Sequence, residues 1–325
     1  MSLLEPRIAY KPFEYPEAQT YIDAIHQTFW IHSEVNFDAD VQQFKTQLTE
    51  GERTIIGNIL KTFAQTETNV QDDFWGILGQ FIPKPEIKAM CITFAENEAR
   101  HASAYARLNE LLGLDNFEAF LEDKIAMERL ELLQKIDVDA DGKVSTEDLL
   151  RSIAIFSCFT ENVNLFSQFA IMLSFKKFKN ELKGIGNIIK WSAKDENAHA
   201  RAGIWLYNTL LKENPEMNTP ELKERIYEAA HILHDVEVKL LSDIFKDGEL
   251  EFMPLSQLLN FMRDRLNQSL KLIGLSPVFE VDEAERSKMD WFDEEVFGLA
   301  HDDFFAVRPA EYTKKTQSVT ADDLF

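Results

Sequence analysis

The sequence is poor in cysteine, glycine, proline and positive charge, and each shortage narrows what the chain can be. Its 325 residues include only two cysteines, Cys91 and Cys158. Both lie among apolar residues in helical sequence, which predicts buried free thiols rather than a disulfide. Two isolated cysteines also argue against dithiol redox chemistry within this chain. Twelve glycines and ten prolines are few for a protein of many turns and favour long uninterrupted elements. Lys and Arg number 34 against 56 Asp and Glu, a net charge of −22. A surface this acidic repels phosphate backbones and anionic headgroups, so neither nucleic acid nor a membrane is expected as a direct partner. No stretch reaches the roughly eighteen consecutive apolar residues of a membrane helix. The opening Met-Ser-Leu-Leu-Glu-Pro has no basic region leading into an apolar run, so no secretory leader is expected and the protein is read as cytoplasmic.

What is present is material for helices and a large core: 45% apolar residues, 25 of them Phe. Residues 1–16, with Pro6, Pro12 and Pro16, read as an extended arm, followed by a helix over 17–31. Thr49 and Glu52 form a capping box for a long helix to about Phe81, which Pro83 and Pro85 end. A helix from Pro85 to about Leu112 stops at Gly113, and another covers about 116–136. Ser145 opens a helix over 146–178. Gly184 and Gly186 lie near the start of one reaching about Leu211, and helices near 219–245 and 254–273 follow. No strand pattern is convincing. The expectation is an all-α fold with a helical domain over 1–291 and a flexible tail over 292–325, where the pattern dissolves.

Two stretches share one spacing, Glu98-x-x-His101 and Glu196-x-x-His199. Residues three apart on a helix share a face, so each pair aims a carboxylate and an imidazole at one point. The spacing alone is cheap, and Glu228-x-x-His231 has it too, on a face shared with His234 and Glu237 that reads as surface or packing. Context separates the first two from the third. Glu161 lies in a helix apolar on nearly every side, and a buried carboxylate needs a partner, a proton or a metal. A fourth ligand is sought on the long helix before Pro83. Glu67, Asp72 and Asp73 are the candidates there, and the apolar stripe around Phe63 and Val70 slightly favours Glu67. One Glu from each of two helices and a Glu-x-x-His from each of two others is the ligand set of a ferritin-like helical bundle with a di-metal carboxylate site. Hard oxygen donors with imidazole and no thiolate suit manganese or iron.

Other residues gather around this core. Tyr105 lies one turn beyond His101, either as a buried tyrosine bonded to a ligand carboxylate or as a redox-active one. Asp195 is either an acceptor for a ligand imidazole N–H or an exposed charge, and Trp30 reads as core. The loop Asp137-x-Asp139-x-Asp141-Gly142, with Asp148 at position twelve, matches a calcium-binding loop in part, but equally fits a turn followed by a helix cap.

Taken in order, Glu67, Glu98-x-x-His101, Glu161 and Asp195-Glu196-x-x-His199 resemble the small (beta) subunit of class I ribonucleotide reductase. Phe29-Trp30 looks like that family's tryptophan segment, and Pro85-Glu86 precedes Glu98 by the family interval, which selects Glu67 over Asp72 and Asp73. Phe304-Phe305-x-x-Arg308-x-x-Glu311-Tyr312 resembles the start of the family's tail, and Ala321 to Phe325 the peptide that docks on the large subunit. The resemblance implies a homodimer partnering the large (alpha) subunit through its C-terminal tail. It implies two metal ions held by Glu67, Glu98, His101, Glu161, Glu196 and His199, which store an oxidising equivalent obtained from oxygen or a reduced oxygen species. It further implies that Asp195 and Trp30 form the exit, that Tyr312 is a relay, and that Tyr105 is the radical-bearing or metal-adjacent tyrosine. A cysteine of the large subunit receives the equivalent and starts ribonucleotide reduction. Two departures bear on the oxidant. Glu67 stands where many members have Asp, as in subclasses using manganese, alone or with iron. Leu165 and Ser192 fall where members with a stable tyrosyl radical usually carry apolar residues, often Phe and Ile, and Ser192 is polar. They favour a high-valent, dimanganese pair over a stable radical on Tyr105, with iron and mixed Mn/Fe as the other options. The competing expectations are a ferritin-like oxidase or monooxygenase with its own small-molecule substrate, and a calcium-responsive helical module built on the Asp137–Asp148 loop.

Overall fold

In the computed structural model, residues 2–298 are described, apart from 115, 117, 119–121, 133–135 and 137–140. They form an all-α, ferritin-like bundle; a lone bridge between Leu250 and Met253 is the one β feature among them. The elements are α1 (Glu17–Gln27), α2 (Asp38–Thr46), α3 (Glu50–Val70), α4 (Gly76–Phe81), α5 (Pro85–Leu112), α6 (Lys124–Leu132), α7 (Thr146–Ala154), α8 (Phe166–Ser174), α9 (Lys183–Glu213), α10 (Pro220–Ile244), α11 (Leu255–Leu272), α12 (Glu283–Arg286) and α13 (Asp290–Phe297). Short π-helical stretches join α3 to α4 (Gln71–Trp75), precede α8 (Ile155–Asn164) and follow it (Phe175–Lys179). No described helix is long and apolar enough to cross a membrane.

Most helix ends follow the chemistry read from the sequence. The capping box at Thr49 forms in both directions, and Gly113 ends α5 in the left-handed region at φ 75°. Ser145 caps α7 through the N–H of Asp148. Several boundaries differ from expectation. The first helix stops at Gln27 rather than 31, where the Thr28 hydroxyl donates back to the Ala24 carbonyl, 3.0 Å away, and the chain turns extended through Trp30. The α6 helix begins at Lys124 rather than near 116, because Asp123 caps the N–H groups of Ile125 and Ala126 at 3.1 and 3.0 Å. The span expected as one regular helix, 146–178, is interrupted by the two π stretches. The pattern expected to dissolve at 292 continues as α13 to Phe297, which buries Trp291, Phe292 and Val296. The α2 helix is an addition to the expected elements. Its Asp40 accepts from the N–H of Ile185 at 2.9 Å, serving α9, whose own N-cap residue Leu182 offers no side-chain acceptor.

The bundle that matters is α3, α5, the π stretch with α8, and α9, which pack on one another. Its apolar residues divide into two clusters. One contains Val70, Met90, Phe94, Phe159, Ala198 and Ala202; the other Phe63, Ala104, Tyr105, Leu165, Ile189 and Ala193. On α3, α5 and α9 the switch from one cluster to the other brackets ligand positions. It lies between 63 and 70 on α3, 94 and 104 on α5, and 193 and 198 on α9. Glu67, Glu98, His101 and Glu196 occupy those gaps, so a polar layer is sandwiched between two dry ones. Cys91 and Cys158 are buried and free, and burial pushes the Cys91 thiol up to about 12, which makes it inert.

Candidate metal centre

The four core elements each deliver acids to this layer at a helix-face position: Glu67 from α3, Glu98 with His101 from α5, Glu161 from the π stretch, and Glu196 with His199 from α9. All six side chains are at most 1% exposed. Their ligand atoms fall into two overlapping groups within 4.8 Å: Glu67, Glu98, His101 and Glu196, and Glu98, Glu161, Glu196 and His199. Glu98 and Glu196 belong to both. His101 Nδ1 lies 2.9 Å from Glu196 and 3.2 Å from Glu98. His199 Nδ1 lies 2.7 Å from Glu98, 3.4 Å from Glu196 and 3.5 Å from Glu161.

Both oxygens of Glu67, Glu98 and Glu196, and Nδ1 of both histidines, are buried without a hydrogen-bond partner of normal geometry. Buried polar atoms are nearly always satisfied. Eight such atoms converging on two points fit cations. The charges agree, since four carboxylates with neutral imidazoles balance two divalent ions. The electrostatics without ions are those of crowded acids. Burial, then the charge of Glu196, pushes the Glu67 carboxyl well above the carboxylate range. Burial and the same neighbour push Glu161 up to about 8. Burial alone would lower the histidines, but Asp195, Glu196 and Glu98 hold His101 well above its usual value, and Glu98, Glu161 and Glu196 do the same for His199. A di-metal carboxylate–histidine site is therefore present in the fold.

Around the six, the structure resolves several open alternatives. Asp195 is no surface charge: it is 2% exposed. Its Oδ2 accepts from the Trp30 indole N–H at 2.8 Å and stands 3.1 Å from His101 Nε2. Trp30 is buried and stacks on the His101 ring at 5.5 Å between centroids. Tyr105 is buried against Phe63, but its hydroxyl bonds to no ligand carboxylate. Burial and the Glu67 charge raise its pKa, while nearby Ser192 lowers it, although neither hydroxyl makes a hydrogen bond of normal geometry. Asp72 and Asp73 stay out of both ligand groups.

The remaining sequence candidates are placed elsewhere. Glu228 and His231 are exposed on α10. Glu237, expected at the surface or in packing, is buried and paired with Arg129 at 2.7 Å. Asp148, twelfth in the calcium-like loop, is held by Arg225 at 2.7 Å and by the Ser145 hydroxyl at 2.6 Å, which engages the carboxylate a calcium ion would need. Asp137, Asp139 and Tyr312 lie outside the described residues. Two partners were missed from sequence. Trp75 donates its indole N–H to Glu161 Oε1 at 2.6 Å, and Asn97 touches both halves of the site. Trp75 sits among apolar residues like any core tryptophan, whereas the adjacency of Asn97 to Glu98 was a usable signal.

Comparison with known proteins agrees with this geometry. The family model described as "Ribonucleotide reductase, small chain" matches residues 7–287. A probable ribonucleoside-diphosphate reductase small subunit, 048L, of Invertebrate iridescent virus 3 is 28% identical, over 99% of this chain and 88% of the relative. Two solved structures share the fold. The ribonucleotide reductase R2 subunit from Clostridium botulinum has a TM-score of 0.79 at 19% identity, covering 90% of this chain and 93% of its own. Streptococcus sanguinis dimanganese(II)-NrdF has a TM-score of 0.74 at 17% identity, covering 86% and 96%.

Proposed function

This chain belongs to the ribonucleotide reductase small-chain family, and on that premise we propose that it is the radical-generating beta subunit of ribonucleoside-diphosphate reductase. The observation that carries the proposal is the overlap of two four-residue ligand groups with one outward line, Trp30 to Asp195 to His101, starting at a ligand. In this reading Glu67 and His101 would serve one ion and Glu161 and His199 the other, with Glu98 and Glu196 common to both ligand groups. Bound transition-metal ions supply the oxidising power, drawn from oxygen or a reduced oxygen species. The protein's own contribution is positional. Asp195 accepts hydrogen bonds from the indole and the imidazole, keeping the two rings in line for an electron entering toward the metals. The two apolar clusters keep water from the layer, so the stored equivalent is not quenched by solvent.

Manganese, as a dimanganese pair, is the favoured metal, with iron or a mixed pair as the other options. Support comes from Glu67 at the first ligand position and from Ser192 beside the Tyr105 hydroxyl, a polar neighbour that disfavours a long-lived tyrosyl radical. The streptococcal structure sharing this fold is a dimanganese(II) protein. The partner is the large (alpha) subunit, engaged by the segment beyond α13 with Tyr312 as relay, and the chain works as a cytoplasmic homodimer.

Deleting residues 312–325 tests the assignment. The truncated protein keeps its metal content but loses nucleotide reduction with added large subunit; unchanged turnover overturns the proposal. Loading separately with Mn(II) and Fe(II) under oxidant, followed by electron paramagnetic resonance, tests the metal. Activity confined to the iron form, with a long-lived tyrosyl signal, refutes the dimanganese assignment.

A further inference from the structure

Asn97 precedes Glu98 on α5 and is fully buried. Its Nδ2 donates to Asp195 Oδ2 at 3.1 Å, and its Oδ1 lies 3.0 Å from His199 Nε2. The orientation of the amide is dictated by its neighbours. A carboxylate oxygen only accepts, so the NH₂ end must face Asp195. The carbonyl end then faces His199 and requires a proton on Nε2. On the other side, His101 Nε2 stands 3.1 Å from the same Asp195 oxygen and 3.3 Å from Asn97 Nδ2; the carboxylate only accepts, so the Nε2 proton points to Asp195, as does the Asn97 N–H. Both imidazoles are thereby fixed with Nε2–H outward and the Nδ1 lone pair inward, toward the carboxylates.

We propose that Asn97 is a positioning residue that sets the tautomer of His199 and ties the two metal sites to each other through one amide. Asp195 can orient only His101. His199 has no carboxylate behind its outer nitrogen, and the amide oxygen of Asn97 takes that role. The same side chain delivers a third hydrogen bond to the Asp195 oxygen that Trp30 uses. The outer shells of the two sites therefore form one connected network, Trp30–Asp195–Asn97–His199, with His101 joined at Asp195. This inference rests on the di-metal assignment.

The test uses the full-length protein and Mn(II) alone, with free Mn(II) read by electron paramagnetic resonance. Wild type that fails to take two Mn(II) per chain refutes the di-metal assignment itself. If it takes two, Asn97→Leu, close to asparagine in size, is compared with it. The expected result is a loss of about 10–100-fold in affinity at one ion per chain, the scale of a lost outer-shell partner. The other ion, with His101 still held by Asp195, is much less affected, and the thermal midpoint of the metal-free protein stays near wild type. Unchanged affinity for both ions overturns the proposal. So does an equal loss at both with a lowered midpoint, which marks Asn97 as packing alone. A measurement on wild type needs no variant: in Zn(II)-loaded, 15N-labelled protein, His199 must show a slowly exchanging Nε2–H. A proton on Nδ1 of His199 instead overturns the assignment.

Discussion

Replacing Gly203 with alanine attacks the metal layer from a distance. Gly203 lies on α9 four residues beyond His199; Ser157 lies on the π stretch four residues before Glu161. A Cβ at 203 would sit 1.6 Å from Ser157 Oγ and 2.4 Å from Ser157 Cβ. Turning the Ser157 side chain removes the first clash but not the second, because Cβ does not move with χ1. Carbon atoms approach to about 3.5–4.0 Å, so the two elements must part by roughly 1–1.5 Å. Overpacking of this kind costs about 1–3 kcal/mol. The same displacement reaches Glu161 and His199, 3.5 Å apart one turn away on these two elements. We expect Gly203→Ala to lower the urea unfolding free energy by about 1–3 kcal/mol. At least a tenfold loss of affinity, about 1.4 kcal/mol, is expected at one Mn(II) per chain. The double variant Ser157→Gly with Gly203→Ala moves the gap across the interface and should recover most of both losses. Glycine inside the π stretch keeps about 0.5–1 kcal/mol of the deficit. Denaturation and Mn(II) titration of the four proteins form a double-mutant cycle. Wild-type behaviour of the single alanine variant, or additive losses in the double, refutes the packing argument.

Two further outcomes follow from the site. Glu161→Ala removes a carboxylate of one ligand group alone, so Mn(II) stoichiometry should fall from two to one per chain; full loading would reject its role as ligand. Loading should also release protons. Without ions Glu67 is raised well above the carboxylate range, Glu161 to about 8, and both histidines above their usual value. Protons therefore compete with the metals, affinity rises with pH up to about 8 and beyond, and a weakly buffered dye assay at pH 7 should show acidification. Pure binding without proton release would mean that these groups are already deprotonated.

Much of this was legible because the bundle obeys local rules. The capping box at Thr49, Pro85 and Gly113 placed the start of α3 and both ends of α5 to within a residue or two, whereas the helix expected to run unbroken to Phe81 is interrupted by the π stretch Gln71–Trp75. Glu161 announced itself as a charge in an apolar helix, and it is buried with Trp75 on one oxygen. What stayed hidden was set by partners distant in sequence. Nothing local distinguishes Asp195 as exposed or buried; Trp30, 165 positions away, decides it. The same holds for Glu237, for which surface and packing stay open in the sequence and the ion pair with Arg129 of α6 decides for burial. The π stretches have no composition signal, since the same apolar residues support a regular helix. The α2 helix escaped notice because its main task, supplying Asp40 to the start of α9, appears only when the two are juxtaposed.

The segment around Trp30 runs between the surface and the metal layer. Phe29 and Ile31 are 44% and 40% exposed, while Trp30 between them is 2% exposed. Successive residues of one short connecting stretch thus face water, the metal layer and water again. The Trp30 indole packs against Trp191 at 5.6 Å between centroids and stacks on the imidazole of His101. Its backbone is gripped as well: the Arg100 guanidinium donates to the Trp30 carbonyl at 3.0 Å and lies over the Phe29 ring. From Phe29 and Ile31 to His101 the connection runs through the Trp30 ring and the two hydrogen bonds at Asp195. A partner seated on Phe29 and Ile31 would therefore lie one residue away from the indole that contacts both Asp195 and His101.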